Sequence, residues 1–130
     1  MASVKGLECK VVALVNVVVL SGPRTVDGIE VVPGDGVLLV GQEHASENGL
    51  WTVGTPWTRH PAASSADDVL GMSVVARQGA QRGDTMWQCI NAPPVELGST
   101  ELLFAEVLEI GGRRPAARVR PPLRVIEGLG

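Results

Sequence analysis

The chain has no tyrosine and only one phenylalanine, so three tryptophans supply nearly all of its aromatic bulk. In such a chain Trp51 and Trp87 read first as core residues. Trp57, preceded by proline and followed by Thr58-Arg59, is the candidate to face a ligand, with Arg59 beside it. Cysteine is almost as scarce. Cys9 and Cys89 stand far apart with no CxxC or Cys/His spacing, which argues against a zinc site. Two buried free thiols are the expectation, with a disulfide as the alternative if the first and a late strand are neighbours. His44 and His60, the two histidines, have no second ligand at a recognisable spacing. Either could serve as a base for Ser46, Ser64 or Ser65, but no G-x-S-x-G elbow or oxyanion motif accompanies them. The Asp67-Asp68 pair lacks further oxygen ligands and reads as a solvated helix cap.

Charge is also sparse, at 19% of residues, against 45% hydrophobic, which suits a chain that buries a core. The net charge of −3 is divided unevenly. Residues 1–110 hold six Lys and Arg against thirteen Asp and Glu, whereas residues 111–130 hold five Arg against Glu127. An acidic body does not suit a general nucleic-acid binder, which needs a basic face. The N-terminus has no basic stretch followed by an apolar run and a small-residue cleavage site. Residues 11–20 are apolar but too few to span a bilayer. The expectation is a protein made in the cytoplasm without a membrane anchor, and 130 residues are enough for one compact domain.

What the chain has in quantity is valine, punctuated by sixteen glycines and nine prolines. Side chains branched at Cβ suit a pleated surface better than a helix. "VVALVNVVVL" (residues 11–20) fits a strand buried on both faces, although periodicity alone leaves a helix open. "GIEVV", "VLLVG", "LWTV", "WTRH", "MSVVARQG" and "TMWQCI" follow as strands between turn-forming sequences such as Asp27-Gly28 and Asn48-Gly49. "PAASSADDVLG" is the one helical excursion, capped by Ser64 or Ser65. "TELLFAEVLEI" is read as a strand, with a helix open on propensity. "AQRGD" is read as a hairpin connection. The glycines of "VVPGDGVLLVG" sit between two strands with no helix following. They read as a strand corner, not as a phosphate cradle. Short strands at such regular spacing predict a mainly β fold, a single small antiparallel β-sandwich or barrel over residues 1–110.

Residues 111–130, with three prolines and five arginines, are a different material and are expected to form an extended C-terminal arm. Arg113, Arg114, Arg118, Arg120 and Arg124, with Leu123 as an apolar anchor, are the candidate partner-binding residues. Without interleaved aromatics they would hold nucleic acid only by a salt-dependent, unspecific contact, so docking onto an acidic protein surface is the preferred reading.

The order of the segments adds a resemblance. "LSG" at 20–22, "TVDGIEVVPGDGVLLVGQ" at 25–42, "ENGLWTV" at 47–53 and "PWTRHPAAS" at 56–64 are followed by "GMSVVARQG", "DTMWQC" and "LGSTELLFAEV". This succession resembles a β-rich module of bacteriophage and prophage tail-fibre and other virion surface proteins, over residues 17–107. Gly36 stands where that pattern has arginine, Gly41 where it has a larger polar residue, and Leu50-Trp51 where Ile-Tyr is common. The resemblance implies a non-enzymatic structural or binding role in a phage particle, with no cofactor, no metal and no catalytic residue to transfer. Other virion proteins of capsid or tail would be its partners, and assembly in the host cytoplasm would place it in the virion. A capsid decoration, a tail cap and a short trimeric projection are the forms open to it. A host-surface glycan-binding module that uses Trp57 is the alternative.

Overall fold

A computed structural model of the chain describes residues 6–107, and these form a mainly β, sandwich-like fold. In chain order the strands are β1 (Gly6–Cys9), β2 (Val11–Ala13), β3 (Arg24–Val26), β4 (Ile29–Val31), β5 (Gly36–Leu39), β6 (Gly49–Thr52), β7 (Thr58–Arg59), β8 (Ser73–Ala76), β9 (Thr85–Cys89) and β10 (Phe104–Val107). One short helix, α1 (Ala66–Val69), precedes β8, and the Ser65 hydroxyl caps it by accepting the Asp68 N–H at 3.2 Å. One sheet runs β1-β8-β9-β10 and a second runs β2-β5-β6-β7, while β3 and β4 form a separate hairpin.

The burial pattern follows from this layering. The second sheet lies between the other two layers, so both of its faces are covered. Val12, Leu38 and Leu50 point into a core shared with Val74, Ala76, Trp87 and Cys89 of the first sheet. Val11, Ala13, Val37 and Leu39 point the other way, onto Val26 and Val31 of the hairpin and onto Trp57. A strand covered on both sides needs an unbroken apolar sequence, and "VLL" in β5 provides it. Among the described residues the first sheet is covered on one side only. There β8 and β9 alternate, with Val74, Ala76, Trp87 and Cys89 inward and Met86 and Gln88 outward. Each large apolar side chain removed from water stabilises by about 1.5–3 kcal/mol, so these two cores supply most of the favourable energy.

Three sequence expectations are refined here. Most pairings are antiparallel as expected, but β1 pairs with β8, and β2 with β5, in parallel. The expected strand over residues 11–20 ends at Ala13. Beyond it the chain turns outward, leaving Val15 73% and Val18 82% exposed. Side-chain to backbone bonds run both ways between this segment and a neighbouring loop. Gln42 accepts the Val17 N–H at 2.7 Å and donates to the Val17 carbonyl at 2.9 Å, and Asn16 accepts the Glu43 N–H at 2.7 Å. Gly41 makes this course possible, because any Cβ at that position would strike the Leu14 carbonyl. The "TELLFAEVLEI" segment is a strand only from Phe104, with Leu102 buried just before it. The arm expected over residues 111–130, with Arg113, Arg114, Arg118, Arg120, Leu123 and Arg124, lies outside the described residues.

The corner "PGDG" is a turn, as its sequence indicates. Asp35 Oδ2 accepts the Val32 N–H at 2.8 Å and the Lys10 ammonium at 3.0 Å. Partial burial alone would raise the Asp35 carboxyl, but the Val32 N–H and the Lys10 charge outweigh it and hold the group below the ordinary aspartate value. A depressed folded-state pKa adds stability that is present above the unfolded value of about 3.9 and lost as pH falls through the folded value. Asp35→Asn is therefore expected to unfold at lower urea than the parent at neutral pH, by up to about 1 kcal/mol, with the two curves converging in acid.

Both cysteines are free and buried in the core between the two large sheets. Burial pushes the Cys9 thiol up to about 12 and also raises Cys89 above its ordinary value. A thiol reagent at about pH 8 should leave the native chain untouched and titrate both cysteines once urea unfolds it. Rapid labelling of the native protein would contradict the buried placement.

Candidate functional site

Behind the β5–β6 connection lies a polar network that links four distant segments. Asn48 is buried. Its side-chain oxygen accepts the Gln42 N–H at 2.9 Å and its amide donates to the Leu102 carbonyl at 2.9 Å. The Leu102 N–H returns a bond to the Ala45 carbonyl at 3.1 Å. Gln42, also buried, reaches Glu47 Oε1 at 3.0 Å in addition to its two bonds with Val17. Every donor and acceptor so engaged avoids the penalty of an unpaired buried polar group, about 1–3 kcal/mol each.

Arg59 closes this network from β7. Its Nη1 donates to the Asn48 carbonyl at 2.6 Å and its Nη2 to the Ser46 carbonyl at 2.8 Å. The guanidinium carbon lies 4.5 Å from the centroid of the Trp51 ring, a cation–π contact between neighbouring positions of β6 and β7. Trp51 is itself fixed by its indole N–H, which donates to the Glu47 carbonyl at 2.8 Å. Glycine is needed at 49, where φ is +131° and a Cβ would run into the Arg59 guanidinium. Burial pulls the Arg59 guanidinium below its ordinary pKa, and the nearby Glu47 carboxylate opposes that shift.

Trp51 and Arg59 line an open pocket of about 510 Å³. His44, Ser46 and Glu47 from the β5–β6 connection line one side, and Ser64, Leu97 and Gly98 complete it. The pocket brings together His44, Ser46 and Ser64, all considered from the sequence as a base and nucleophiles. Among the described residues, however, no hydrogen bond joins His44 to either hydroxyl, and the Ser64 hydroxyl donates to the Pro61 carbonyl at 3.1 Å. His60 is used locally, its Nδ1 accepting the Ala62 N–H at 3.0 Å at the start of a 3-10 turn. Ser65 is the helix cap. Among the described residues no group of three or more His, Cys, Asp or Glu could hold a metal ion.

The two residues expected to face a ligand part company. Arg59 reaches the pocket, but Trp57 is 3% exposed and packs in the core beneath the hairpin. Its indole N–H donates to the Gly22 carbonyl at 2.9 Å, and its backbone N–H to the Leu20 carbonyl at 3.0 Å. Trp57 therefore anchors the segment that leads into β3, and its expected ligand-facing position is corrected. Trp51 lines the pocket instead. Its position directly across from Arg59 would have revealed this, but only once the β6–β7 register was known. Trp87 is buried, as expected, with its indole N–H on the Thr85 hydroxyl at 2.9 Å.

Comparison with protein-family models, with curated proteins and with solved structures gives no match.

Removing the Asn48 side chain tests the network behind the site. Asn48→Ala should destabilise the fold by about 1–3 kcal/mol for each buried group left unpaired, measured by urea unfolding. The exposed Asn16→Ala, which loses one bond, should cost less than about 1 kcal/mol.

Proposed function

We propose that the chain is a non-enzymatic surface module of a bacteriophage particle, attached to other virion proteins in part through residues 111–130. The observation that carries this reading is the use to which the motif residues are put. Asp27 of "TVDG" accepts the backbone N–H groups of Gln81 and Arg82 at 3.2 and 2.9 Å and so docks the β8–β9 hairpin. Gln42 of "VGQ", Asn48 of "ENG" and Arg59 of "WTR" form the network behind the pocket. Trp87 and Cys89 of "TMWQC" fill the main core. The segments that resemble virion surface modules are spent on holding short strands in place, as a scaffold requires.

The arm supports attachment by its chemistry. Five arginines and scattered apolar residues suit an acidic neighbour with apolar recesses. The test is to express the full chain and a chain ending at residue 110 alongside the particle proteins encoded by neighbouring genes, then assay purified particles. The full chain should co-purify with particles, and the shortened one should lose most of its occupancy. Absence of the full chain from particles would overturn the virion role. Equal occupancy of both forms would overturn the role of the arm alone.

A further inference from the structure

The Arg59 guanidinium spends two of its N–H groups on carbonyls and stacks on a tryptophan, and among the described residues no carboxylate forms an ion pair with it. Among the described residues the ion pairs are Lys10–Asp35 and Arg77–Glu8. A guanidinium carries five N–H donors, so up to three remain for a ligand or for water. The group is also held rigidly: the Asn48 and Ser46 carbonyls fix it at both ends, and Trp51, itself tied to Glu47, fixes its plane. A cation already ordered in the free protein loses little entropy when it binds.

The remainder of the pocket narrows the ligand. Ser46, Ser64 and His44 offer hydroxyl and imidazole groups, and Leu97 offers an apolar surface. That mixture suits a compact molecule with several hydroxyls and an apolar C–H face. Charge narrows it again. Glu47 lines the same pocket, with its carboxylate on the Gln42 amide. A dianionic phosphate would meet Glu47 with two charges against the single positive charge of Arg59. A monoanionic carboxylate brings half that charge into the pocket beside Glu47 and matches the fork geometry of Arg59. We propose that the Trp51–Arg59 pocket binds an acidic saccharide, with Arg59 holding the carboxylate of a hexuronic acid and the loops bearing Ser46, Ser64 and His44 holding its hydroxyls. This site does not depend on whether the chain belongs to a virion.

The test uses the full chain and three probes: glucuronate, glucose and inorganic phosphate. Binding is followed by calorimetry and by tryptophan fluorescence, since Trp51 borders the site. Glucuronate should bind saturably and perturb the fluorescence, and added salt should weaken it. Glucose and phosphate should each bind at least about tenfold more weakly. A glucuronate-containing oligosaccharide that binds no more weakly than the monosaccharide would identify a chain-borne residue as an acceptable source. Arg59→Lys, which keeps the charge and loses the fork, should weaken glucuronate by about tenfold or more. If that variant does not fold, His44→Ala and Ser64→Ala decide, because both side chains are exposed. Each should keep the parent circular dichroism and weaken glucuronate several-fold. No saturable glucuronate binding, equal binding of glucose or phosphate, or unchanged binding in the folded variants would overturn the proposal.

Discussion

The rest of the structure depends on one strand being shared between two sheets. β1 and β2 are separated only by Lys10, yet β1 pairs with β8 and β2 with β5. The hand-over is made by backbone bonds at that point. Lys10 donates its N–H to the Gly36 carbonyl at 2.8 Å in the second sheet, while Gln78 donates to the Lys10 carbonyl at 2.8 Å in the first. Because the strand cannot slide in one sheet without sliding in the other, its crossing fixes the relative position of both. The Lys10 ammonium then binds Asp35 and the Glu30 carbonyl, tying the crossing to the corner between β4 and β5. That pair is worth little beside the apolar cores. Its effect is to select one arrangement among those the valines would tolerate.

The crossing also explains a likeness between the sheets. In each, a piece of the N-terminal strand lies parallel to the next strand, which forms a hairpin with a third and through it meets a fourth. A valine faces a tryptophan across each hairpin, Val37 opposite Trp51 and Val74 opposite Trp87. The two tryptophans have nevertheless diverged in use. The first sheet covers one face and buries Trp87 within it. The second has both faces covered, and Trp51, near the β7 edge, is left half-buried against Arg59. One pairing scheme thus yields a core residue in one sheet and a pocket wall in the other.

Much of this was legible in the chain. Most of the strand segments, the corner at "PGDG", a turn capped by Ser64 or Ser65 and the buried thiols follow from local chemistry, since turns and β-branched runs act over a few residues. What was not legible depends on partners distant in sequence. "VVALVNVVVL" reads as one long strand because nothing local shows that Gln42 and Asn16 will bind the backbone across the loop, or that Gly41 leaves room for Leu14. Trp57 reads as an exposed aromatic because its partners, the Leu20 and Gly22 carbonyls, lie more than thirty residues earlier. Likewise, the placing of Trp51 beside Arg59 follows from the β6–β7 register, which no period in the sequence announces.

The setting of Arg59 bears on how it can discriminate between ligands. Residues 1–110 hold thirteen acidic side chains against six basic ones, so the field of the body repels anions at a distance. At physiological salt that field is screened beyond about 8 Å, whereas contacts inside a partly buried pocket are screened far less. Selection at Arg59 must therefore come from short-range geometry: the fork, its two carbonyl anchors and the tryptophan beneath it. The anchors belong to the same network that holds residues 42–48 against Leu102. Scaffold and pocket are in this sense one construction, because the bonds that close the loop are also those that aim the guanidinium. A substitution that loosens the loop would disorder the cation as well, and one that removes the cation would leave the Ser46 and Asn48 carbonyls without their donors.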